Sequence, residues 1–305
     1  MYRDPSTQKF RRATTRPRTV MLSRAARSHL VGLVLLVGCT HPSVPSPREA
    51  PPAAARLVSF PALDGVELHG FLYLPSGAGP FPAVLWNHGS ERFPGWQPGL
   101  AEYYTANGFA FFLPHRRGQG RSSAAGAYIL DRQPSKLRVV TSPTASGREV
   151  IALHEEASRD VEAALAWLKA RPEVDAQRIV MSGVSFGGIQ TLLAAEKGQG
   201  VRAFVAFAPG AMSWRWVQGL KGRLEQAVRE AKAPVLIVQA ENDYDLSPSR
   251  ALGPALEQAG KGRSVVFPAY GTSAQDGHGG FACRPEGTAL WGPTVLGFFR
   301  GAIAR

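Results

Sequence analysis

The chain has 305 residues, 44% of them hydrophobic, and a formal net charge of +12. That length suits one large α/β domain or two small ones, and the charge on its own suggests a nucleic-acid binder. The charge is uneven, however. Ten of the Lys and Arg but only two of the Asp and Glu lie in residues 1–56, and no later run interleaves basic with aromatic residues, which argues against nucleic acid as a partner.

Arg24 and Arg27 precede an apolar run from Leu30 to Val37. A helix needs about 20 apolar residues to cross a bilayer, so this run fits the core of a signal peptide instead. Residues 1–20 are too polar and basic to belong to that signal, which makes Met21 a candidate for the true start. Residues 1–38 are read as an N-terminal extension and signal peptide. Leu36-Val37-Gly38-Cys39 resembles the lipobox of bacterial lipoproteins, in which the cysteine is lipidated. The plainer alternative is a secretory signal with an incidental cysteine. The resemblance implies export to the cell envelope, periplasmic or outer-membrane, and a membrane partner held through lipid on Cys39. Residues 39–55, rich in Pro and Ala, form a tether. Cys283 is then the one thiol left, so no internal disulfide forms and the fold rests on its core.

Residues 56–305 alternate strand and helix patterns. Leu57–Phe60 and Val66–Leu74 are expected to pair antiparallel across the Asp64-Gly65 turn. Pro82–Trp86 and Phe109–Leu113 are short, continuously apolar runs suited to buried parallel strands, joined by a helix over 99–107. The stretch Arg117–His154 shows little periodicity and is expected to be part of a lid over the site or a disordered insertion. Glu155–Arg171 has helical spacing, Val201–Ala208 strand character, and Leu220–Ala231 helical spacing. Pro234–Gln239 and Ser264–Phe267 read as strands, Ser249–Ala259 and 287–303 as helices. Such alternation predicts an α/β fold with a doubly wound, mostly parallel sheet and helices on both faces.

The stretch Arg178–Glu196 organises the rest. An apolar strand, Ile179–Met181, runs into Gly183-Val184-Ser185-Phe186-Gly187, and Ile189, Leu192, Leu193 and Glu196 follow at helical spacing. This is the G-x-S-x-G pattern of a nucleophile elbow, where a strained strand-to-helix turn lifts a serine hydroxyl clear of the sheet. A serine hydroxyl needs a base, and the base needs a carboxylate to orient it. The loop after Pro234–Gln239 offers Glu241, Asp243 and Asp245, and the glycine-rich loop after Ser264–Phe267 offers His278. The backbone N–H of Phe186 is the expected first donor to an oxyanion, with Ser90 or its neighbour Glu91 as the second. His88 is read as shaping that loop, and Arg116, Arg117 and Arg121 as bracing loops or meeting a substrate carboxylate. Trp214 and Trp216 either wall an acyl pocket or pack a cap helix. No dinucleotide, P-loop or metal-ligand spacing is present, so no cofactor and no metal is implied.

Asn87-His88-Gly89-Ser90, Arg116-Arg117-Gly118-Gln119-Gly120-Arg121-Ser122, Gly183–Gly188, Glu241-Asn242-Asp243 and Gly277-His278-Gly279 resemble, in order, the dienelactone hydrolase-like branch of the α/β-hydrolases across about residues 57–303. The resemblance implies an α/β-hydrolase fold with Ser185 as nucleophile, Asp243 as acid and His278 as base. Asp245 is the runner-up acid, and Asp276 is read as stabilising its loop. The family's dienelactone enzymes typically use a cysteine nucleophile, so Ser185 favours an ordinary ester, or a thioester or peptide-like bond, over a dienelactone. The expectation is a serine hydrolase acting on a small-molecule ester through an acyl-enzyme. Two alternatives stay open: a peptidase related to the prolyl oligopeptidases, whose usual extra domain has no counterpart here, and a non-catalytic lipoprotein binding module on the same fold.

Overall fold

A computed structural model describes residues 54–133 and 143–305, with side chains from residue 147 onward in the second stretch. The proposed signal segment, Cys39 and nearly all of the tether lie outside the described residues.

The apolar runs form one eight-stranded sheet: β1 (Arg56–Pro61), β2 (Glu67–Tyr73), β3 (Phe81–Asn87), β4 (Ala110–His115), β5 (Val174–Val184), β6 (Phe204–Phe207), β7 (Val235–Ala240) and β8 (Gly262–Phe267). Their spatial order is β1-β2-β4-β3-β5-β6-β7-β8. The pairs β1/β2 and β2/β4 are antiparallel, and every later neighbour is parallel. The helices are α1 (Pro98–Ala106), α2 (Ile129–Arg132), α3 (Pro143–Lys169), α4 (Phe186–Lys197), α5 (Leu220–Glu230), α6 (Ser247–Gln258), α7 (Phe281–Cys283) and α8 (Pro285–Ile303).

Both faces of the sheet are covered, which is why β4 and β7 are buried at every residue and are apolar but for His115 and Gln239 near their ends. Successive side chains of β7 serve opposite cores: Val235 and Ile237 meet α3 to α6, while Leu236, Val238 and Ala240 meet α1 and α8. Leu165, Leu168, Leu192, Leu224 and Leu256 fill the first core. Tyr104, Trp291, Val295 and Phe299 fill the second, with Tyr104 stacked on Phe111 at 5.6 Å. Each large apolar side chain buried this fully is worth about 1.5–3 kcal/mol. No helix among the described residues is long and apolar enough to cross a membrane.

Three expectations change. The helix expected from Glu155 begins at Pro143. Its first turns carry Gly147 and little apolar spacing, and their contacts come from elsewhere in the chain: a Cβ on Gly147 would lie 2.2 Å from the Gln218 carbonyl oxygen. The stretch 117–154 also holds a 3-10 turn, Gly120–Ala125, and α2, so it is more regular than its sequence suggests; residues 134–142 lie outside the described part. The strand expected over Val201–Ala208 shrinks to Phe204–Phe207. Gly198, Gln199 and Gly200 all have positive φ, and the Val201 N–H closes their turn on the Gly198 carbonyl, so the chain is still turning there.

Candidate active site

The candidate residues follow the carboxyl ends of neighbouring strands, where open α/β sheets bind ligands. Ser185 comes straight after β5, His88 to Ser90 after β3, Arg116 after β4, Asp243 after β7 and His278 in the loop beyond β8. All of them follow the carboxyl ends of their strands, at one end of the sheet.

At the elbow, Ser185 has φ 57 and ψ −114, a backbone conformation that costs a non-glycine residue about 1–3 kcal/mol. Its N–H donates to the Phe207 carbonyl at 2.9 Å, and its carbonyl accepts from Ile189 N–H at 3.1 Å, so both neighbouring elements hold it. The glycines are required by space. A Cβ on Gly183 would lie 2.6 Å from the Asn87 carbonyl oxygen, and one on Gly187 would lie 1.9 Å from it. Phe186 opens α4, where its N–H has no intrahelical acceptor.

His278 sits on a π-helical turn, Asp276–Gly280, and is nearly buried. Its Nδ1 is 2.8 Å from Asp243 Oδ1. The Asp243 carboxylate also accepts from Tyr244 N–H at 2.6 Å and Gln239 Nε2 at 3.0 Å. A carboxylate only accepts, so the ring donates from Nδ1, and in the neutral imidazole the lone pair is then on Nε2. That Nε2 is buried and has no hydrogen-bond partner among the described residues. Asn242 clips the two loops together, donating to the Tyr270 and Ser273 carbonyls and accepting from Tyr270 N–H. Gly277 packs so close to Asn242 that a Cβ would lie 2.5 Å from its Oδ1.

The other acids do separate work. Asp245 accepts Arg215 Nε at 2.8 Å and Ser247 N–H at 2.9 Å, tying the segment after β6 to the start of α6. Asp276 holds its own loop through Ser273 and Arg284.

The loop after β3 is braced from behind. The Arg116 guanidinium is buried, lies 4.8 Å over the Phe186 ring, and donates through Nη2 to the carbonyls of His88 at 2.9 Å and Gly89 at 2.5 Å. Burial pushes its pKa down to about 10, still cationic at neutral pH. Arg117 donates to the buried Asp160 through its backbone N–H, Nε and Nη2. His88 is fully buried; desolvation first, then Arg116 and His115, holds its pKa well below the ordinary histidine value. Its Nδ1 faces the Gly89 carbonyl at 3.0 Å, so a neutral ring shapes this loop.

Of the tryptophans, Trp214 packs against the α3–α6 core, whereas Trp216 is 70% exposed.

Three side chains at the site escaped the sequence. Glu91 is exposed as a residue, yet its carboxyl group turns back toward Gly89, where desolvation raises its pKa against the pull of its own N–H, Arg116 and His278. His154 of α3 lies against the Phe186 ring at 4.3 Å. Tyr128, just before α2, donates its hydroxyl to the Ser90 carbonyl at 2.5 Å. Nothing local marks His154 or Tyr128, since each depends on a distant segment folding back, and the sequence points to Glu91 only through its backbone N–H. A cavity of about 380 Å³ lies elsewhere, lined by Lys197, Arg202 and Lys232, and touches none of them. Lys197 and Lys232 stand at the C-terminal ends of α4 and α5, where cations complement the helix dipole.

The model of the dienelactone hydrolase family matches residues 106–267. Among curated proteins, the chain is 29% identical over 153 residues to polyketide transferase grgF of a Penicillium species, covering 50% of this chain and 44% of that one. It is 27% identical over 187 residues to thiohydrolase apmlB of Arthrinium phaeospermum, covering 58% and 50% respectively. The chain thus spans about half the length of the curated relatives it matches. Among solved structures, a putative dienelactone hydrolase from Klebsiella pneumoniae superposes with a TM-score of 0.56 at 19% identity, covering 82% of this chain and 98% of that one. The acylaminoacyl peptidase of Pyrococcus horikoshii superposes with a TM-score of 0.57 at 16% identity, covering 82% and 41%. What is shared with these structures is the α/β-hydrolase fold.

Proposed function

The chain belongs to the dienelactone hydrolase family, and from that premise we propose that it is a serine hydrolase cleaving carboxylic esters through an acyl-enzyme. The observation that carries the reading is the His278 imidazole, bonded to Asp243 through Nδ1 while Nε2 is buried and, among the described residues, unpartnered. That nitrogen is the base a strained elbow serine requires. Ser185 Oγ attacks the ester carbonyl carbon as its proton passes to His278 Nε2. The resulting oxyanion is received by the N–H of Phe186 and of Ser90. Collapse expels the alkoxide, which takes the proton from His278, and a water deprotonated by the same ring then cleaves the acyl-enzyme. Asp243 keeps the imidazole in the tautomer this relay needs and stabilises its cationic form.

The relative named as a thiohydrolase supports a second substrate class, an acyl thioester, which passes through the same intermediate. Turnover of matched nitrophenyl esters, acyl thioesters and peptide anilides by the full chain separates these. Faster cleavage of ester or thioester supports the proposal, and preference for the anilide overturns it in favour of a peptidase.

The proposal extends to location: a lipid on Cys39 anchors the hydrolase domain in the bacterial envelope, as the Leu36–Cys39 sequence supports. Radiolabelled fatty acid incorporated by the native chain but not by Cys39→Ala is the expected result. Equal labelling of both overturns it.

A further inference from the structure

Ser90 stands between two peptide groups, and each is held by a side chain from another part of the fold. Arg116 Nη2 holds the Gly89 carbonyl at 2.5 Å, and the Tyr128 hydroxyl holds the Ser90 carbonyl at 2.5 Å. In a trans peptide the N–H points opposite to the carbonyl. Fixing the Gly89 oxygen therefore aims the Ser90 N–H, and fixing the Ser90 oxygen aims the Glu91 N–H. Neither plane flanking Ser90 is free to rotate.

Tyr128 is itself held. The Arg92 guanidinium lies 4.0 Å over its ring, and Arg92 Nη2 pairs with both carboxylate oxygens of Asp131, at 3.0 and 2.9 Å. The next residue, Ile129, packs with Ala157 against Phe186. One short segment thus touches Phe186 through an apolar contact and, through a hydrogen bond to the Ser90 carbonyl, the residue that carries the second proposed oxyanion donor. Burial raises the Tyr128 pKa, which keeps the hydroxyl a donor across neutral pH.

We propose that Tyr128 is a positioning residue of the hydrolase site, its hydroxyl fixing the Ser90–Glu91 peptide and with it the backbone of Ser90, whose own N–H, aimed by Arg116 through the Gly89 carbonyl, receives the oxyanion. This rests on the ester-hydrolase reading above. Tyr128 acts through Ser90, so its removal weakens the transition state more than the substrate complex. A purely structural hydroxyl shifts stability without that bias.

The test is Tyr128→Phe in the full chain, which keeps the ring and its Arg92 contact and removes one oxygen. Kinetics on a short-chain nitrophenyl ester, inhibition by an alkyl boronic acid as tetrahedral mimic, and the melting temperature are measured beside wild type. The expected result is kcat lower by about tenfold, less than loss of a direct oxyanion donor. Boronic acid inhibition weakens by the same factor, KM stays within about twofold, and the melting temperature holds within about 2 °C. Unchanged kcat, a rise confined to KM, or a kcat loss that tracks a large fall in melting temperature overturns the assignment. A wild type that turns over no ester sinks the hydrolase reading itself, and the assignment with it.

Discussion

Asp243 Oδ1 lies 2.8 Å from His278 Nδ1, with the carboxylate side chain fully buried and the imidazole 6% exposed. Asp245, two residues on, is spent on Arg215 and the start of α6. The two acids therefore separate cleanly by substitution. Asp243→Asn is expected to lower kcat by about 10³–10⁴-fold, because an amide leaves the imidazole in the wrong tautomer. Asp245→Asn is expected to lower the melting temperature by a few degrees and leave kcat within about threefold. Steady-state kinetics and thermal melts of both variants check the pair.

The elbow glycines make a second prediction. Gly187→Ala forces a methyl to 1.9 Å from the Asn87 carbonyl oxygen, deep between β3 and α4. Overpacking of this kind costs about 1–3 kcal/mol or more, and it displaces the serine with it. Gly222, exposed inside α5 with nothing within 4 Å of its added Cβ, is the counterpart. Gly222→Ala is expected to stabilise by about 0.4–1 kcal/mol with activity unchanged. Urea unfolding of both variants reads the opposite signs.

Most of this site was legible because its chemistry sits at strand ends that announce themselves. The β5 run, the glycines around Ser185 and the helical spacing of α4 are local signals, and together they put the serine on a strand-to-helix turn. Chain order and the loops after apolar runs lead to His278 and to a choice among Glu241, Asp243 and Asp245, and the family resemblance implies Asp243. What stayed hidden depends on distant packing: the early turns of α3 pack at Gly147 close to the Gln218 backbone, and Tyr128 reaches Ser90 across 38 residues of chain. Trp214 shows the same limit, since a tryptophan near a strand end reads equally well as pocket wall or core, and here it packs on the core.

Buried neutral histidines set the response to acid. His115 has Nε2 2.9 Å from the Gly95 carbonyl, while its Nδ1 accepts the Arg121 N–H at 2.9 Å. Protonating Nδ1 breaks that second bond, and burial holds the pKa down to about 4. His154 is held at about 3, again by burial first. Between pH 6.5 and about 4 the unfolded chain therefore binds protons that the fold does not. Stability is full above about pH 6.5 and is lost as pH falls toward 4, on the order of 3 kcal/mol for His115 alone. Urea unfolding at pH 7, 5.5 and 4.5 is expected to show this slope, with His115→Gln making it shallower. An equal slope in that variant contradicts the assignment.

The central claim is that Ser185 is an activated nucleophile, and fluorophosphonate labelling of the purified full chain tests it most directly. Wild type is compared with Ser185→Ala and His278→Ala, each shown to be folded by its melting curve. The account predicts rapid labelling and ester turnover by wild type and loss of both in each variant. A folded wild type that neither labels nor turns over ester, or a Ser185→Ala protein that labels as fast as wild type, contradicts it.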